Sequence, residues 1–348
     1  MTEQSGPLLK TVDLKKYFKL KNGAMLHAVD GINIELYPGE TLGVVGESGC
    51  GKSTLGRTIL KLIEPTGGQI FFEGKDITDY RTRDVRKLRQ DMQIIFQDPY
   101  SSIDPRKSVI EVIAEYMFIH RIYRSKQETF NHAAQLMDRV GLARRYANSY
   151  PHELDGGRRQ RIGIARALSL NPKFIVCDEP VSALDVSIQA QILNLLMDLQ
   201  EQMDLAYMFV THDLSVVKHI SDKIMVMYLG QCVELCDSDE LFKHPMHPYT
   251  DALLAAIPRP DISMRNKPLK LIKGEVSSPI NVKLCLSLRA LHGRVHGCRS
   301  SVSGGQPRTL CCLCSRREAA QTIVNISLYD WHLSAPQIDA NRAVTELP

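Results

Sequence analysis

Residues 46–54, Gly-Glu-Ser-Gly-Cys-Gly-Lys-Ser-Thr, constrain the fold of this chain more than any other stretch. They match the pattern G-x-x-x-x-G-K-[ST], with an apolar run at 42–45 before them and a helical pattern of apolar residues after them. In this strand–loop–helix context the glycines allow the backbone to wrap round an anion, with its N–H groups pointing inward and a helix N-terminus adding positive potential. The sequence therefore predicts a nucleotide-phosphate site formed by Gly46, Glu47, Ser48, Gly49, Cys50, Gly51, Lys52, Ser53 and Thr54.

Two residues at the end of this loop supply its chemistry. The Lys52 ammonium is placed to reach the β- and γ-phosphates of a nucleotide, and the Ser53 hydroxyl is placed to ligate Mg²⁺. The alternative, a glycine-rich turn before an ordinary helix, is less favoured because both the full pattern and its flanking segments are present.

Charge and hydropathy exclude several classes of protein. The net charge is +4, but the basic excess lies entirely in residues 283–348, and the preceding part of the chain is balanced. A groove for a polyanion requires basic residues clustered on the folded body, so we predict no nucleic-acid partner. The N-terminus has no apolar signal core, and no stretch approaches the ~18 consecutive apolar residues of a membrane-spanning helix. Without a secretory signal, the nine cysteines are interpreted as cytosolic thiols.

The order of local patterns predicts an α/β fold. Residues 8–45 alternate polar and apolar positions between turn signals, which favours antiparallel strands leading to the phosphate loop. Further strands are predicted at 68–74 and 92–96. Two buried strands at 173–177 and 206–210 are separated by a helical run, which is the βαβ rhythm of a parallel sheet. We therefore expect a P-loop NTPase core with a mixed or parallel sheet and an N-terminal antiparallel β subdomain.

Three other regions differ in pattern. Apolar residues recur at helical spacing after residue 107, so residues 98–158 are predicted to form a mainly α-helical insert. Residues 223–235 suggest a β-hairpin about Leu229-Gly-Gln. The tail at 283–348 changes abruptly in composition and shows no sustained period, which predicts an irregular, poorly ordered appendage. The change also suggests the hypothesis that this tail is read in an altered frame.

Four segments downstream of the phosphate loop place polar residues at the ends of predicted strands or at the start of a helix. Gln97 follows a strand, 154–158 (Leu-Asp-Gly-Gly-Arg) opens a helical run, Asp178 and Glu179 end an apolar strand, and His212 follows the next strand. In their order and spacing these segments resemble the ATP-binding-cassette (ABC) ATPases. The resemblance covers about residues 8–278. It implies that the protein binds ATP and Mg²⁺ and hydrolyses ATP.

The resemblance also implies a role for each polar residue. Asp178, with Ser53 and Gln97, would hold Mg²⁺. Glu179 would polarise the attacking water and His212 would contact the γ-phosphate, which with Lys52 makes three catalytic residues. Alone, an Asp-Glu pair could be a helix cap and a histidine at a strand end could be a surface residue.

The sequence gives less support to the other nucleotide contacts that the family implies. Phe18, or its neighbour Tyr17, occupies the position where the family stacks an aromatic ring on adenine, although either could be an ordinary core or surface residue. The segment Asp155-Gly156-Gly157 would close over ATP bound to a second subunit. Asp185, at the end of the loop Ser182-Ala-Leu-Asp185, would also contact the nucleotide.

The signature segment departs from the family pattern, which has serine and glutamine where this chain has Asp155 and Arg158. A carboxylate facing a phosphate charge costs about 4 kcal/mol per pair of unit charges at about 4 Å and an effective dielectric of about 20. Alternatively, Asp155 caps the following helix, turned away from the nucleotide, with its charge favoured by the helix dipole. Our hypothesis is that the two ATP sites of a two-subunit assembly are unequal.

Residues 223–281 resemble the C-terminal extension of the ATPase subunits of oligopeptide, dipeptide and nickel importers. The resemblance, which ends near Lys283, implies a subunit at the cytoplasmic face of the cell membrane. Its expected partners are integral membrane permease subunits, a second ABC ATPase subunit and, indirectly, a solute-binding protein. A short peptide is the expected solute, with nickel or another small solute as the alternative. His244 and His247, flanked by prolines, are interpreted as turn residues rather than metal ligands.

Two features disfavour functions outside transport. ABC ATPases of DNA repair and chromosome organisation carry a long coiled coil or zinc module between phosphate loop and signature, for which this chain has no room. Ribosome-associated cassette factors carry two cassettes, whereas this sequence has one phosphate loop. The segment Ser303-Gly-Gly-Gln306 imitates the signature but no strand with paired carboxylates follows it, so we interpret it as a chance match.

Overall fold

The computed structural model describes residues 6–98, 102–257 and 310–311. Its strands are β1 (Leu9–Lys19), β2 (Met25–Leu36), β3 (Thr41–Val45), β4 (Gly67–Phe72), β5 (Lys75–Asp76), β6 (Met92–Ile95), β7 (Phe174–Asp178), β8 (Ala206–Val210), β9 (Lys223–Tyr228), β10 (Gln231–Asp237) and β11 (Leu310–Cys311).

The α-helices of the same residues alternate with these strands. They are α1 (Lys52–Ile59), α2 (Thr82–Asp91), α3 (Val109–His120), α4 (Lys126–Arg139), α5 (Gly156–Leu168), α6 (Val186–Met203), α7 (Leu214–Ile220), α8 (Ser238–Lys243) and α9 (Pro248–Ala255). Short 3₁₀ helices occupy Arg144–Tyr146 and Pro151–Glu153. None of the described helices is long and apolar enough to cross a bilayer.

Two sheets organise the chain. The first is antiparallel, in the order β2-β1-β4-β5, and confirms the predicted N-terminal β subdomain. The second has the order β11-β10-β9-β3-β8-β7-β6 and is mixed, because β9, β3, β8, β7 and β6 run parallel while β10 is antiparallel to β9. The β9–β10 hairpin turns at Leu229 and Gly230, as the sequence predicted. The α/β core is confirmed.

The central sheet is buried on both faces, which explains its uninterrupted apolar strands. Successive residues of a strand point to opposite faces, so Val44 packs in the core shared with the antiparallel sheet and Val45 packs in the core beneath the helices. Val176 and Cys177 of β7 divide in the same way. Hydrophobic burial on both sides fixes the register of these strands and therefore the positions of their ends.

The helical insert packs on the second of these cores. Ala133, Met137 and Val140 are fully buried there, and Phe130 lies partly buried against them. These are the positions whose helical spacing led to the prediction. Helices α3, α4 and α5 pack against one another on this face of the sheet, and α5 contacts β6.

The tail lies almost wholly outside the described residues. Only Leu310–Cys311 is described, as a strand whose backbone pairs with Glu234 and Leu235 of β10. The predictions of an irregular appendage at 283–348 and of a chance match at Ser303–Gln306 therefore stay predictions.

Candidate active site

The phosphate loop leaves the carboxyl end of β3, the middle strand of the larger sheet, and returns as α1. Gly46, Gly49 and Gly51 have φ angles of 151°, 81° and 108°, in the region that favours glycine. A Cβ at Gly51 would lie 1.9 Å from the Ala28 carbonyl oxygen, and one at Gly46 would lie 2.2 Å from that of Met227. Glycine is therefore required here both for conformation and for close contact with β2 and β9.

Lys52 is buried, with 5% of its surface exposed. Its Nζ donates hydrogen bonds to the carbonyl oxygens of Gly46, at 2.8 Å, and of Glu47, at 2.9 Å. A buried ammonium needs such partners because desolvation would otherwise be costly. These contacts hold the Lys52 ammonium against the backbone of the loop, and its contact with a phosphate stays a prediction.

Ser53 and Asp178 meet although 125 positions separate them in sequence. The Ser53 hydroxyl donates to one oxygen of the Asp178 carboxylate at 2.6 Å, and Arg57 Nη2 donates to the other oxygen at 3.3 Å. Asp178 is 3% exposed, so its charge is compensated by these two donors. A hydroxyl and a carboxylate at this separation are oxygen donors of the type that Mg²⁺ prefers.

Glu179 lies beside Asp178 but has a different set of partners. Its φ of +49° is uncommon for a residue other than glycine. One oxygen of its carboxylate accepts from Gln97 Nε2 at 2.9 Å, and the other lies 3.4 Å from His212 Nδ1. The structure therefore brings together three predicted residues that follow β6, β7 and β8. The Glu179 carboxylate is mostly shielded from solvent, at 12% exposure, and carboxylates can act as general bases. That role stays a prediction for Glu179.

The loop from Glu179 to Asp185 is held by hydrogen bonds to its backbone. Ser182 Oγ donates to the Glu179 carbonyl oxygen at 3.1 Å. Gln189 Nε2 donates to the carbonyls of Val181 and Leu184 at 2.9 and 3.0 Å. Asp185 is the N-cap residue of α6, and its own side chain makes no cap hydrogen bond. The loop is thereby fixed while the Asp185 carboxylate stays exposed.

Asp155 is the N-cap residue of α5, as one part of the structural alternative expected. Its orientation relative to a nucleotide stays a prediction. One carboxylate oxygen accepts from the Arg158 backbone N–H at 2.8 Å and the other from Arg158 Nη1 at 2.6 Å. The Arg158 guanidinium also lies 4.9 Å from the centre of the Tyr146 ring, a cation–π distance. Gly157 is required for packing, because a Cβ there would lie 2.8 Å from Ile188 Cγ2. The contact of Asp155, Gly156 and Gly157 with a nucleotide remains a prediction.

The two aromatic candidates for adenine lie side by side on β1. The Tyr17 ring stacks on His27 with 4.0 Å between centroids, and its hydroxyl donates to Asp30 at 2.5 Å. Burial raises the pKa of Asp30, but hydrogen bonds from Tyr17 and Gln231 outweigh it and the pKa is lowered. Phe18 carries the Lys16 ammonium 5.0 Å above its ring. The choice between Tyr17 and Phe18 remains a prediction.

Sequence reasoning missed two residues of this site. Arg57 lies one helical turn after Ser53, so the spacing of four was a usable signal. Gln189 had no such signal in the sequence, because its role comes from the two carbonyl groups to which it donates in the folded chain.

Residues 29–182 match the sequence profile of the ABC transporter family. The oligopeptide transport ATP-binding protein OppF of Salmonella typhimurium is 51% identical over 288 residues, covering 80% of this chain and 86% of the relative. The chain belongs to the ABC transporter family. As expected of an ABC-type ATPase, it has the phosphate loop and the paired carboxylates at the carboxyl ends of two parallel strands, β3 and β7, that β8 separates in the sheet.

Further matches indicate which group of ABC ATPases this chain resembles. Residues 233–299 match the C-terminal region of oligopeptide/dipeptide transporters, a match that runs past Lys283, where the sequence resemblance was expected to end. The dipeptide transport ATP-binding protein DppF of Escherichia coli is 48% identical over 280 residues, covering 79% of this chain and 83% of the relative.

Solved structures of ABC cassettes share the fold. The cbiO1 protein of Clostridium perfringens, described as part of the transporter complex cbiONQ, has a TM-score of 0.61 at 28% identity, covering 69% of this chain and 92% of its own. The cassette MJ0796, described as a dimer bound to ADP and Pi, has the same TM-score and identity, covering 66% of this chain and 98% of its own.

Proposed function

We propose that this ABC ATPase powers the import of short peptides through a membrane transporter. The observation that carries the proposal is the cluster at the carboxyl edge of the sheet, where Glu179 meets Gln97 and His212 beside the Lys52 loop. The names of the relatives, oligopeptide and dipeptide transport ATP-binding proteins, support peptides as the solute. Nickel or another small solute is the second candidate, and DNA repair is disfavoured by these relatives.

The proposed chemistry assigns binding to the phosphate loop. Backbone N–H groups of the loop other than that of Glu47, together with those of the first turn of α1, would face the phosphates. The Lys52 ammonium would move from the Gly46 and Glu47 carbonyls to the β- and γ-phosphate oxygens. The oxygens of Ser53, Asp178 and Gln97 fit Mg²⁺ by their chemistry. When bound there, Mg²⁺ would screen the charge of the β- and γ-phosphates.

Hydrolysis is assigned to Glu179. The carboxylate accepts a proton from a water molecule as the water oxygen bonds to the γ-phosphorus and the bond to the ADP oxygen breaks. Gln97 holds the same carboxylate through its amide, and His212 orients the water and the γ-phosphate. ADP and phosphate are the products.

The proposed second subunit covers the face that holds Asp155 and Asp185. Val186, at the start of α6, is 82% exposed although it is apolar, which is expected of a residue that another subunit covers. The partner's signature would complete the site of Lys52 and Glu179, and Asp155 would face the partner's nucleotide. The Asp155 charge would repel phosphate, offset in part by its ion pair with Arg158, so the site that it closes would be the weaker one.

The proposed permease contact is an apolar groove of about 280 Å³ between the sheet and the helical insert, lined by Leu62, Met92, Phe96 and Ile119 among others. Leu62 and Ile119 are 44% and 49% exposed. Phe96 precedes Gln97, so a permease segment in this groove would contact the chain one residue from the group that holds Glu179. This contact would keep the chain peripheral, at the cytoplasmic face of the cell membrane, and the solute-binding protein would act only through the permease.

Uptake by the reconstituted transporter tests the proposal. With the permease, the companion ATPase subunit and the solute-binding protein in proteoliposomes, we expect ATP-dependent uptake of labelled di- to pentapeptides that Lys52→Ala abolishes. Peptide uptake by Lys52→Ala at the original rate would contradict the proposal. Uptake of nickel without peptide would favour the second candidate.

A further inference from the structure

The segment that contains His244 and His247 contacts the phosphate loop. The Glu47 backbone N–H donates a hydrogen bond to the Tyr249 hydroxyl oxygen at 3.1 Å, across 202 positions of sequence. The Glu47 carbonyl accepts from Lys52 Nζ at 2.9 Å. The backbone of Glu47 is therefore held on its N–H side by Tyr249 and on its carbonyl side by Lys52.

A buried carboxylate holds Tyr249 in place. Glu234 of β10 is 1% exposed, and its two oxygens accept from the backbone N–H groups of Met246, at 2.9 Å, and His247, at 3.0 Å. His247 Nδ1 then accepts from the Tyr249 N–H at 3.1 Å, as the cap of α9. Burial lowers the pKa of His247, which favours the neutral ring that can accept this bond. The two histidines lie at helix ends, His244 after α8 and His247 before α9, and their interpretation as turn residues stays a prediction.

A second contact from the same region holds the other end of the loop. The Gly230 N–H, in the β9–β10 turn, donates to the Cys50 carbonyl at 2.8 Å, and the Gly230 carbonyl accepts from the Asp30 N–H at 2.8 Å. Tyr228, next to this turn, lies 4.7 Å from the Tyr249 ring. Two loop residues, Glu47 and Cys50, are thus tied to the part of the chain that follows residue 227.

We propose that Tyr249 is a positioning residue for the phosphate loop, and that its hydroxyl fixes the Glu47 peptide in the orientation that nucleotide binding requires. The inference rests on the proposed ATP-binding function. A loop that binds an anion through backbone N–H groups depends on the orientation of its peptide planes, and loss of one holding bond allows other orientations to be populated. The C-terminal extension therefore acts on the site without touching ATP.

Tyr249→Phe tests this directly, because it removes the hydroxyl and keeps the ring. In the purified full-length chain we expect faster hydrogen exchange at the Glu47 amide and about fivefold weaker equilibrium binding of a fluorescent ATP analogue with Mg²⁺, the effect of one hydrogen bond. The melting temperature without nucleotide should stay within about 2 °C. In the assembled transporter, KM for ATP should rise about fivefold with kcat unchanged within about twofold.

Tyr228→Phe is the matched control, since it removes a hydroxyl from the neighbouring ring, and we expect original values in every measurement. Unchanged exchange and unchanged analogue binding in Tyr249→Phe would overturn the inference. So would a fall in melting temperature with unchanged binding, which would assign Tyr249 a structural role only. If the original chain itself fails to bind the analogue, the proposed function fails and the inference falls with it.

Discussion

At the scale of single residues, two neighbouring carboxylates have been given different environments. Asp178 is buried and compensated by Ser53 and Arg57, whereas Glu179 contacts an amide and an imidazole and retains 12% exposure. The positive φ of Glu179 accompanies this difference. Adjacent acids can therefore divide the work, with one placed to hold a cation and the other to accept a proton.

Asp155 provides a prediction at the same scale. In the assembly with a companion ATPase subunit, we expect Asp155→Ser to increase the ATP retained at the site that this signature closes by at least about tenfold, because it removes the part of the repulsion between Asp155 and phosphate that the Arg158 ion pair does not offset. Asp155→Asn is the matched control for the helix cap, since asparagine caps as well as aspartate without the charge, and it should act like serine. The measurement is the amount of labelled nucleotide trapped per assembly.

Asp155→Ala separates the two roles further. It should increase ATP retention as serine does, but it should also lower the free energy of unfolding by about 1 kcal/mol through loss of the cap. Unchanged retention in all three variants would contradict the hypothesis of unequal sites.

At the scale of elements, the phosphate loop depends on the strands that press against it. Gly51 and Gly49 both have positive φ, but a Cβ at Gly51 would meet the Ala28 carbonyl at 1.9 Å, while a Cβ at Gly49 has no atom within 4 Å. The same substitution therefore has two different physical costs. Substitution of Gly49 costs only backbone strain, whereas substitution of Gly51 also requires β2 to be displaced.

We expect Gly51→Ala to abolish nucleotide binding and to lower the melting temperature by more than about 5 °C, because backbone must shift. Gly49→Ala should lower it by less than half as much, since left-handed strain costs about 1 kcal/mol. Differential scanning fluorimetry with and without Mg-ATP measures both. Equal shifts for the two variants would show that contact with β2 is unimportant.

The secondary-structure elements were the part of this structure that the sequence predicted best. The strands β7 and β8, the β9–β10 hairpin and the helix α6 follow from apolar runs and spacing, because burial on one or two faces dictates those patterns. The contacts of Gly51 with Ala28 and of Tyr249 with Glu47 could not be predicted. The first joins two stretches of backbone, and the second joins a side-chain hydroxyl to a backbone N–H 202 positions away. Neither contact leaves a mark on the pattern of apolar and polar residues.

At the scale of the whole molecule, the groove beside Gln97 is the surface through which we propose that the permease acts on the site. We expect Ile119→Asp to prevent co-purification with the permease while leaving binding of Mg-ATP to the full-length chain within about twofold, because Ile119 lies in the groove and not in the phosphate loop. Tyr37→Asp, at another exposed apolar residue outside the groove, is the control and should leave assembly intact. Assembly that survives Ile119→Asp would rule out this surface as the permease contact.

We expect ATP hydrolysis by this chain to depend on Glu179 acting on water at the nucleotide held by Lys52. The most direct measurement is ATP turnover beside ATP retention for Glu179→Gln in the assembled transporter, since glutamine keeps the size of the side chain and cannot accept the proton. We predict that turnover falls at least about hundredfold while Mg-ATP is retained as well as before. Turnover that stays at the original rate would contradict the account.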